Sequence, residues 1–195
     1  MRKWKRVETA DGPRFRSALE PHEATLLTGL VESLLDMLIE RLETAPADEL
    51  EQITGIRTGH STPPPDETMR RLLPDFYRAP SGHPAGSALA ESLNSALRSL
   101  HEPHIIDAKI EAAQQFLATI PHGGGRFELT AAQAEAWVAA VNDIRLALGT
   151  MLGVGPDGPD RLPPEHPLAG HLDVYHWLTV LQEYLVLALM GKPVR

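Results

Sequence analysis

The stretch that decides the fold is Thr130–Leu152, TAAQAEAWVAAVNDIRLALGTML. Thr130 and Gln133 have the spacing of a capping box, in which each side chain bonds the other residue's backbone N–H at the start of a helix. Apolar residues then recur at helical spacing, at Trp137, Val141, Ile144, Leu148 and Leu152. A capped start and one continuous apolar face predict an amphipathic helix that packs into a helical core.

Further stretches carry the same helical periodicity. Pro21 fits the first turn of a helix, whose apolar stripe is Leu27, Leu30, Leu34, Leu38 and Leu42. A second stripe from Leu89 to Ile120 is interrupted by a proline, which predicts two helices that meet near His101–Pro103. Asp66 is the expected cap of a short helix, and Asp173 is the expected cap of the last one.

The N-terminal residues have the pattern of a β-hairpin. Residues 2–8 alternate charged side chains with Trp4 and Val7, Asp11-Gly12-Pro13 is a turn signal, and residues 14–17 can run back. Two strands alone are barely stable, so the hairpin must pack on other elements. Trp4 and Phe15 are the expected anchors.

Together these elements predict a mainly α fold, with one helical bundle domain over residues 1–195 and a short N-terminal β-hairpin at 1–18. Residues 20–120 hold the first helices, with loops at 54–68 and 79–86. Residues 121–195 hold the capped helix, a loop rich in glycine and proline, and the C-terminal helix. Gly123-Gly124-Gly125 is interpreted as a hinge. Arg126-Phe127 precedes the capped helix as Arg14-Phe15 precedes the first long helix, but two copies without a fixed period do not establish a repeat.

Composition narrows the class of protein. The chain has no cysteine, which excludes disulfides, thiolate catalysis and thiolate metal sites. Its formal net charge of -8 disfavours attraction of the whole chain to nucleic acid or anionic lipid. The basic start is not followed by an apolar run, and the richest apolar stretch, Tyr184–Met190, is too short to span a bilayer. These features predict a cytoplasmic protein without membrane association.

No catalytic constellation is present in the sequence. The nine histidines include no HExxH motif, and the carboxylates of the first long helix lie along one solvated face. The triple glycine lacks the lysine and the serine or threonine of a phosphate-binding loop. We therefore predict no catalytic residue, no metal site, no cofactor and no enzymatic activity, and an enzyme of unrecognised type ranks last among the alternatives.

Charge is distributed unevenly along the chain. Residues 20–51 hold nine acids against Arg41 alone, whereas the hairpin is basic. Two interpretations stay open: the hairpin docks on an acidic face of the bundle, or it forms a basic partner-binding edge. The candidate partner-binding residues of the hairpin are Lys3, Lys5, Arg6, Arg14 and Arg16.

A second candidate set lies on the last two helices. These polar residues interrupt apolar helical stretches, and a buried aspartate among them must be paired. They are either a polar network that fixes the register of the helices or a patch that faces a partner. The residues are Asn142, Asp143, Arg145, Gln182 and Glu183.

Several motifs point to a known family. One is Asn142–Thr150 (NDIRLALGT), which follows a tryptophan and closes with Leu152-Gly153-Val154. Another is Tyr175-His176-Trp177-Leu178 followed by Leu181-Gln182-Glu183, and Leu73-Pro74-Asp75 with Tyr77 is a weaker third. In these motifs the chain resembles a family of actinomycete oxidative-stress transcriptional regulators. That family formerly carried a domain-of-unknown-function label and is DUF2017-like. The resemblance covers nearly the whole chain.

The resemblance implies a cytoplasmic transcription regulator linked to oxidative stress, which acts by contact with a sigma factor or RNA polymerase. Where that mechanism invokes a cysteine pair, this sequence departs from it, so thiol sensing is excluded and a constitutive or differently gated regulator stays open. The methionines, which are also oxidisable, are expected to be core residues at Met37, Met69, Met151 and Met190. Direct DNA binding is disfavoured, because Pro74 falls within the basic segment that would have to form a recognition helix. It stays an alternative, because the basic hairpin could reach a groove or phosphates as a ribbon.

One alternative to the regulator is a non-enzymatic adaptor or scaffold linked to regulated proteolysis, with a protease-side partner and no effect on transcription.

The oligomeric state also stays open. The last helix is apolar on more than one face, which suits a homodimer and is explained equally well by a central core helix.

Overall fold

The computed structural model describes residues 3–46, 55, 57–77, 88–155, 163 and 165–192. Its strands are β1 (Lys5–Thr9), β2 (Gly12–Leu19) and β3 (Gly125–Leu129), and its helices are α1 (Pro21–Glu43), α2 (Glu67–Leu72), α3 (Ala88–Thr119), α4 (Ala131–Met151) and α5 (Ala169–Leu189). The mainly α class with an N-terminal hairpin is confirmed. The loop predicted at 79–86 lies outside the described residues.

The chain divides into two compact units. The terminal unit is formed by Met1–Leu35 with Glu111–Arg195, and the middle unit by Asp36–Ile110. Helices α1 and α3 each contribute residues to both units. The organisation as one domain stays a prediction.

The sheet of the terminal unit has three antiparallel strands in the order β1-β2-β3. Thr9 lies opposite Gly12 at the turn between β1 and β2, as the hairpin pattern predicts. Phe15 in β2 lies opposite Leu129 in β3, and both side chains are buried. The third strand was not predicted, because this pairing joins residues more than a hundred positions apart and leaves no local signal of its partner.

The core of the terminal unit is an aromatic cluster where the sheet meets α3 and α4. The ring of Trp137 stacks on that of Phe127 at a centroid distance of 5.0 Å and lies 4.0 Å from that of Phe116. Trp4 meets Trp137 edge-on at 5.7 Å. The indole Nε1 of Trp137 donates to Oγ1 of Thr119 at 2.7 Å, so the buried N–H is satisfied. Trp4 and Phe15, the expected anchors, are both buried.

The predicted start of α4 is confirmed, and that of α5 is wrong. Thr130 Oγ1 accepts from Gln133 N at 3.2 Å, and Gln133 Oε1 accepts from Thr130 N at 2.9 Å, which completes the capping box. Helix α5 begins at Ala169, four residues before Asp173, with Leu168 at the N-cap and no side-chain cap. Burial of Leu172 in this extra turn provides apolar stabilisation that a polar cap signal does not reveal.

The triple glycine interpreted as a hinge forms a defined turn. Gly123, Gly124 and Gly125 all have positive φ, and the backbone N–H of Gly124 donates to the carbonyl of Pro121 at 2.9 Å. A Cβ on Gly124 would lie 2.8 Å from both Leu19 O and Pro21 N, whereas a Cβ on Gly123 would meet nothing within 4 Å. Gly124 therefore lets the turn approach the backbone between β2 and α1.

Replacing Gly124 with alanine is expected to cost about 1–3 kcal/mol more than replacing Gly123, because only the first change adds a clash with backbone atoms. Both changes place alanine at positive φ, at roughly 1–2 kcal/mol each. The measurement is urea unfolding of both variants followed by circular dichroism. Equal losses would show that the backbone contact does not matter.

In the middle unit, the prediction of two helices meeting near Pro103 is wrong. Helix α3 runs without a break from Ala88 to Thr119, with Pro103 inside it. A proline leaves the carbonyl four residues earlier without its helical donor, and here the carbonyl of Ser99 accepts from the backbone N–H of Gly59 at 2.8 Å. A Cβ on Gly59 would lie 2.8 Å from Cγ of Pro103. The helix continues because a loop residue replaces the missing donor.

Candidate functional site

The outward face of the three-stranded sheet gathers cations from all three strands. Residues that pair across an antiparallel sheet project on the same side, and Lys5 lies opposite Arg16, which lies opposite Glu128. Arg14 is two residues along β2 from Arg16, and Arg126 is two residues along β3 from Glu128. We call this set the basic sheet face; its members are Lys5, Arg14, Arg16, Arg126 and Glu128.

Alternation along the strands separates this face from the core. The other side of β2 and β3 carries Phe15, Ser17, Leu19 and Leu129, all buried. Lys5, Arg16, Arg126 and Glu128 are exposed, and Arg14 is half-buried. The burial of one side thus holds the cations on the other.

Glu128 is the carboxylate of this face and pairs with two arginines. Its Oε2 accepts a hydrogen bond from Nε of Arg16, and its Oε1 lies 3.7 Å from Nε of Arg14. The face therefore has four cations against one anion. The partners of Arg14 and Arg16 lie in the sheet itself and not on the acidic surface of α1, which disagrees with the docking interpretation for these two residues.

The other two hairpin cations of the prediction are directed towards α5. The Arg6 guanidinium donates from Nη1 to the carbonyl of Leu189 at 3.1 Å and pairs with Glu8 at 2.7 Å. Nζ of Lys3 lies 5.6 Å from the ring centroid of Tyr184. The structure thus keeps Lys5, Arg14 and Arg16 together and gives Arg6 a role at the end of α5. Sequence reasoning did not select Arg126, although its place before Phe127 repeats that of Arg14 before Phe15.

The second predicted set forms contacts between α4 and α5. Arg145 donates from Nε to Oγ1 of Thr179 at 3.1 Å and from Nη1 to Oε1 of Gln182. Nε2 of Gln182 in turn donates to the carbonyl of Val138 at 3.3 Å and to Oδ1 of Asn142 at 3.5 Å. These bonds agree with a polar network that fixes helix register. Asp143 is buried, and Glu183 is the exposed member of this set.

A buried ionic cluster in the middle unit was missed in the sequence. Glu102 is 1% exposed and lies between Arg41 and Arg98. Its Oε1 accepts from Nε of Arg41 at 2.8 Å, and its Oε2 accepts from Nη1 of Arg98 at 2.5 Å. The only local signal was the i,i+4 spacing of Arg98 and Glu102 within an apolar stripe, a pattern that also occurs on exposed helix faces.

The two arginines of this cluster also hold segments that have no regular structure. Arg41 donates to the carbonyl of Thr62 at 2.6 Å. Arg98 donates to the carbonyl of Leu73 at 3.2 Å and to Oδ1 of Asp75 at 2.8 Å. The cluster connects α1, α3 and the chain on both sides of α2, so its role in the middle unit is structural.

Two of the four methionines expected in the core differ from the prediction. Met69 is in the core and Met37 is half-buried, but Met151 and Met190 are each 58% exposed, at the ends of α4 and α5. A helix end has fewer neighbours to cover an apolar side chain than a helix centre, which is why the apolar pattern misplaced them. They are thioethers that an oxidant in solution can reach.

Among the described residues, no group of three or more histidine, aspartate and glutamate side chains converges in a way that could hold a metal ion. None of the helices in the described part of the chain is long and apolar enough to cross a membrane.

Comparison with known proteins agrees with the motifs. The family model of DUF2017, described as a domain of unknown function, matches residues 1–189. Proteins of Mycobacterium bovis and Mycobacterium tuberculosis named oxidative stress regulator AosR are each 62% identical over 195 residues, which cover 98% of this chain and 89% of the relative. A relative from Mycobacterium leprae is 60% identical over 194 residues, with the same coverage. No solved structure matches the chain significantly. The predicted resemblance is confirmed, and the chain belongs to the DUF2017 family.

Proposed function

We propose that this protein regulates the response to oxidative stress in the cytoplasm, and that it acts on transcription by contact with a sigma factor or RNA polymerase. The observation that carries the proposal is the identity of 60–62% with relatives named oxidative stress regulators over 98% of the chain. Identity at this level over nearly the full length supports a shared role.

Contact with a protein, in preference to DNA, is supported by the small extent of the basic surface. A β-ribbon can enter a DNA groove, but the four cations of this surface lie on three short strands and can neutralise only a few phosphates. Arg70 and Arg71 lie on α2, which is only six residues long. The chain also has a formal net charge of -8, which opposes binding of a polyanion outside the basic surface.

The oxidant signal cannot reach this protein through a thiol, because the chain has no cysteine. Two routes that need no thiol are a signal from the partner and slower chemistry on accessible thioethers, of which Met151 and Met190 are exposed examples among the described residues. In either case the contact with the partner does not require a disulfide in this chain.

The test is recovery of a tagged full-length chain from its native cells, with and without hydrogen peroxide, followed by mass spectrometry and reconstitution with purified components. We expect a sigma factor or polymerase subunits in the eluate, and a change in transcription from a stress promoter when the purified protein is added to that polymerase. Recovery of a protease or its adaptor without polymerase, and no effect on transcription, would contradict the proposal and favour an adaptor in regulated proteolysis.

A further inference from the structure

We infer that the basic sheet face binds an acidic, extended segment of a partner protein, and that Glu128 occupies the site's arginines in the free protein. The inference deepens the proposed function, on which it rests, by naming the contact surface and the chemistry of the partner. It concerns Lys5, Arg14, Arg16, Arg126 and Glu128, as defined above.

The spacing of the cations suits carboxylates on one extended chain. Neighbouring strands lie about 4.8 Å apart, and alternate residues of a strand lie about 6.5–7 Å apart. Lys5 and Arg16 are therefore one strand apart, and Arg126 lies on the third strand, diagonal to Arg16. Acidic side chains at alternate positions of an extended segment also lie about 6.5–7 Å apart, which matches the separation of Arg14 and Arg16 along β2. Arginine binds carboxylates through paired, planar hydrogen bonds, which adds geometric selectivity to charge attraction.

Charge complementarity favours a protein segment over nucleic acid. The face holds four cations within three short strands, an area that a few carboxylates can neutralise. A nucleic acid would extend its phosphates beyond this area over a chain with a net charge of -8, where repulsion opposes binding. The half-buried side chain of Val7 also lies on this face, opposite Arg14, and offers apolar contact to a peptide.

Glu128 is an internal competitor for the same arginines. It pairs with both Arg14 and Arg16, and its side chain is 38% exposed, so water and an incoming carboxylate can reach the pair. Exposed ion pairs contribute little stability, which means that exchange of Glu128 for a partner carboxylate has a small cost. Removal of the Glu128 charge should therefore strengthen binding of an acidic partner without unfolding the sheet.

The experiment uses the full-length protein and a fluorescent peptide in which aspartate and glutamate alternate with valine. A peptide with asparagine and glutamine in place of the acids is the neutral control, and single-stranded and duplex DNA oligonucleotides are the competing probes. Fluorescence anisotropy at low and high salt measures affinity. We expect the acidic peptide to bind more tightly than the other three probes, with an affinity that falls as salt rises.

The variants separate the site from the net charge of the chain. E128Q is expected to bind the acidic peptide several-fold more tightly, and R126E several-fold more weakly. The matched control is E8Q, which removes the same charge from the same sheet, but on the side of Arg6; it should leave affinity unchanged. R71E, at an exposed position of α2, controls for charge reversal in the same way. Circular dichroism verifies that each variant is folded.

Three results would overturn the inference: equal effects of E128Q and E8Q, no preference for the acidic over the neutral peptide, or tighter binding of either DNA. If the acidic peptide fails to bind while polymerase subunits are still recovered from cells, the surface is wrong and the proposed function stands. If the peptide binds as expected but no transcription partner is recovered and transcription is unaffected, the proposed function fails and the surface stands.

Discussion

The variant Glu102→Gln is expected to lose about 3–5 kcal/mol of stability, since removal of one partner from a buried ion cluster leaves uncompensated charge. Both carboxylate oxygens of Glu102 are used, one by Arg41 and one by Arg98. Glutamine keeps the shape of the side chain, but its NH₂ group would face a guanidinium that also has only donors. The loss therefore reports on charge and hydrogen bonding and not on a cavity.

The remaining acceptors around the two arginines cannot replace Glu102. Arg41 has the carbonyl of Thr62, and Arg98 has the carbonyl of Leu73 and the carboxylate of Asp75. The Asp75 side chain is 63% exposed, so water screens its charge. Within the described part of the chain, two buried guanidiniums would thus face each other with no buried anion between them.

The measurement is urea unfolding of Glu102→Gln beside Glu91→Gln, which makes the same chemical change at an exposed position on the same helix. The Glu91 variant should lose no more than about 1 kcal/mol, because it removes only an exposed charge in the first turn of the helix. Similar losses in the two variants would mean that the cluster is not a stabilising contact of the middle unit.

The variant Trp137→Ala is expected to destabilise the terminal unit by about 3–5 kcal/mol, the usual range for removing a fully buried tryptophan. Trp137 is 0% exposed and contacts the rings of Trp4, Phe116 and Phe127. The substitution removes these contacts at once and also leaves Oγ1 of Thr119 without the indole donor.

Trp177→Ala is the matched control, since Trp177 is only half-buried on α5. Its loss should be clearly smaller, because part of its surface already faces water and little or no cavity forms. Thermal unfolding by circular dichroism compares the two. If both variants lose the same stability, the aromatic cluster is not the centre of the core.

Much of the helical architecture was visible in the sequence. The capping box of Thr130 and Gln133 and the position of Pro21 at the start of α1 are local signals, and the structure confirms both. The hairpin was also local, since a turn signal lies between two alternating segments. The start of α5 had no local signal in the sequence, because burial of Leu172 stabilises the first turn without a side-chain cap.

The candidate surface was predicted only in part. The sequence pointed to the basic hairpin, but it could not separate Arg16, which projects outward, from Arg6, which bonds the end of α5. It also could not place Arg126 beside them, because that position depends on the pairing of β3 with β2.

The sequence by itself determined the mainly helical class, the amphipathic faces and the absence of thiol chemistry, because these depend on composition and on contacts within a few residues. Only the tertiary structure decided whether Pro103 ends a helix, which arginines pair with Glu102, and which cations lie on the same face of the sheet. Each of these outcomes depends on a partner distant in the chain, such as Gly59, which donates the hydrogen bond to Ser99 that a helical N–H at position 103 would have made. The residue type sets the free-energy cost of a proline inside a helix or of a buried charge. Whether that cost is offset depends on a distant residue that supplies the missing hydrogen bond or the opposite charge.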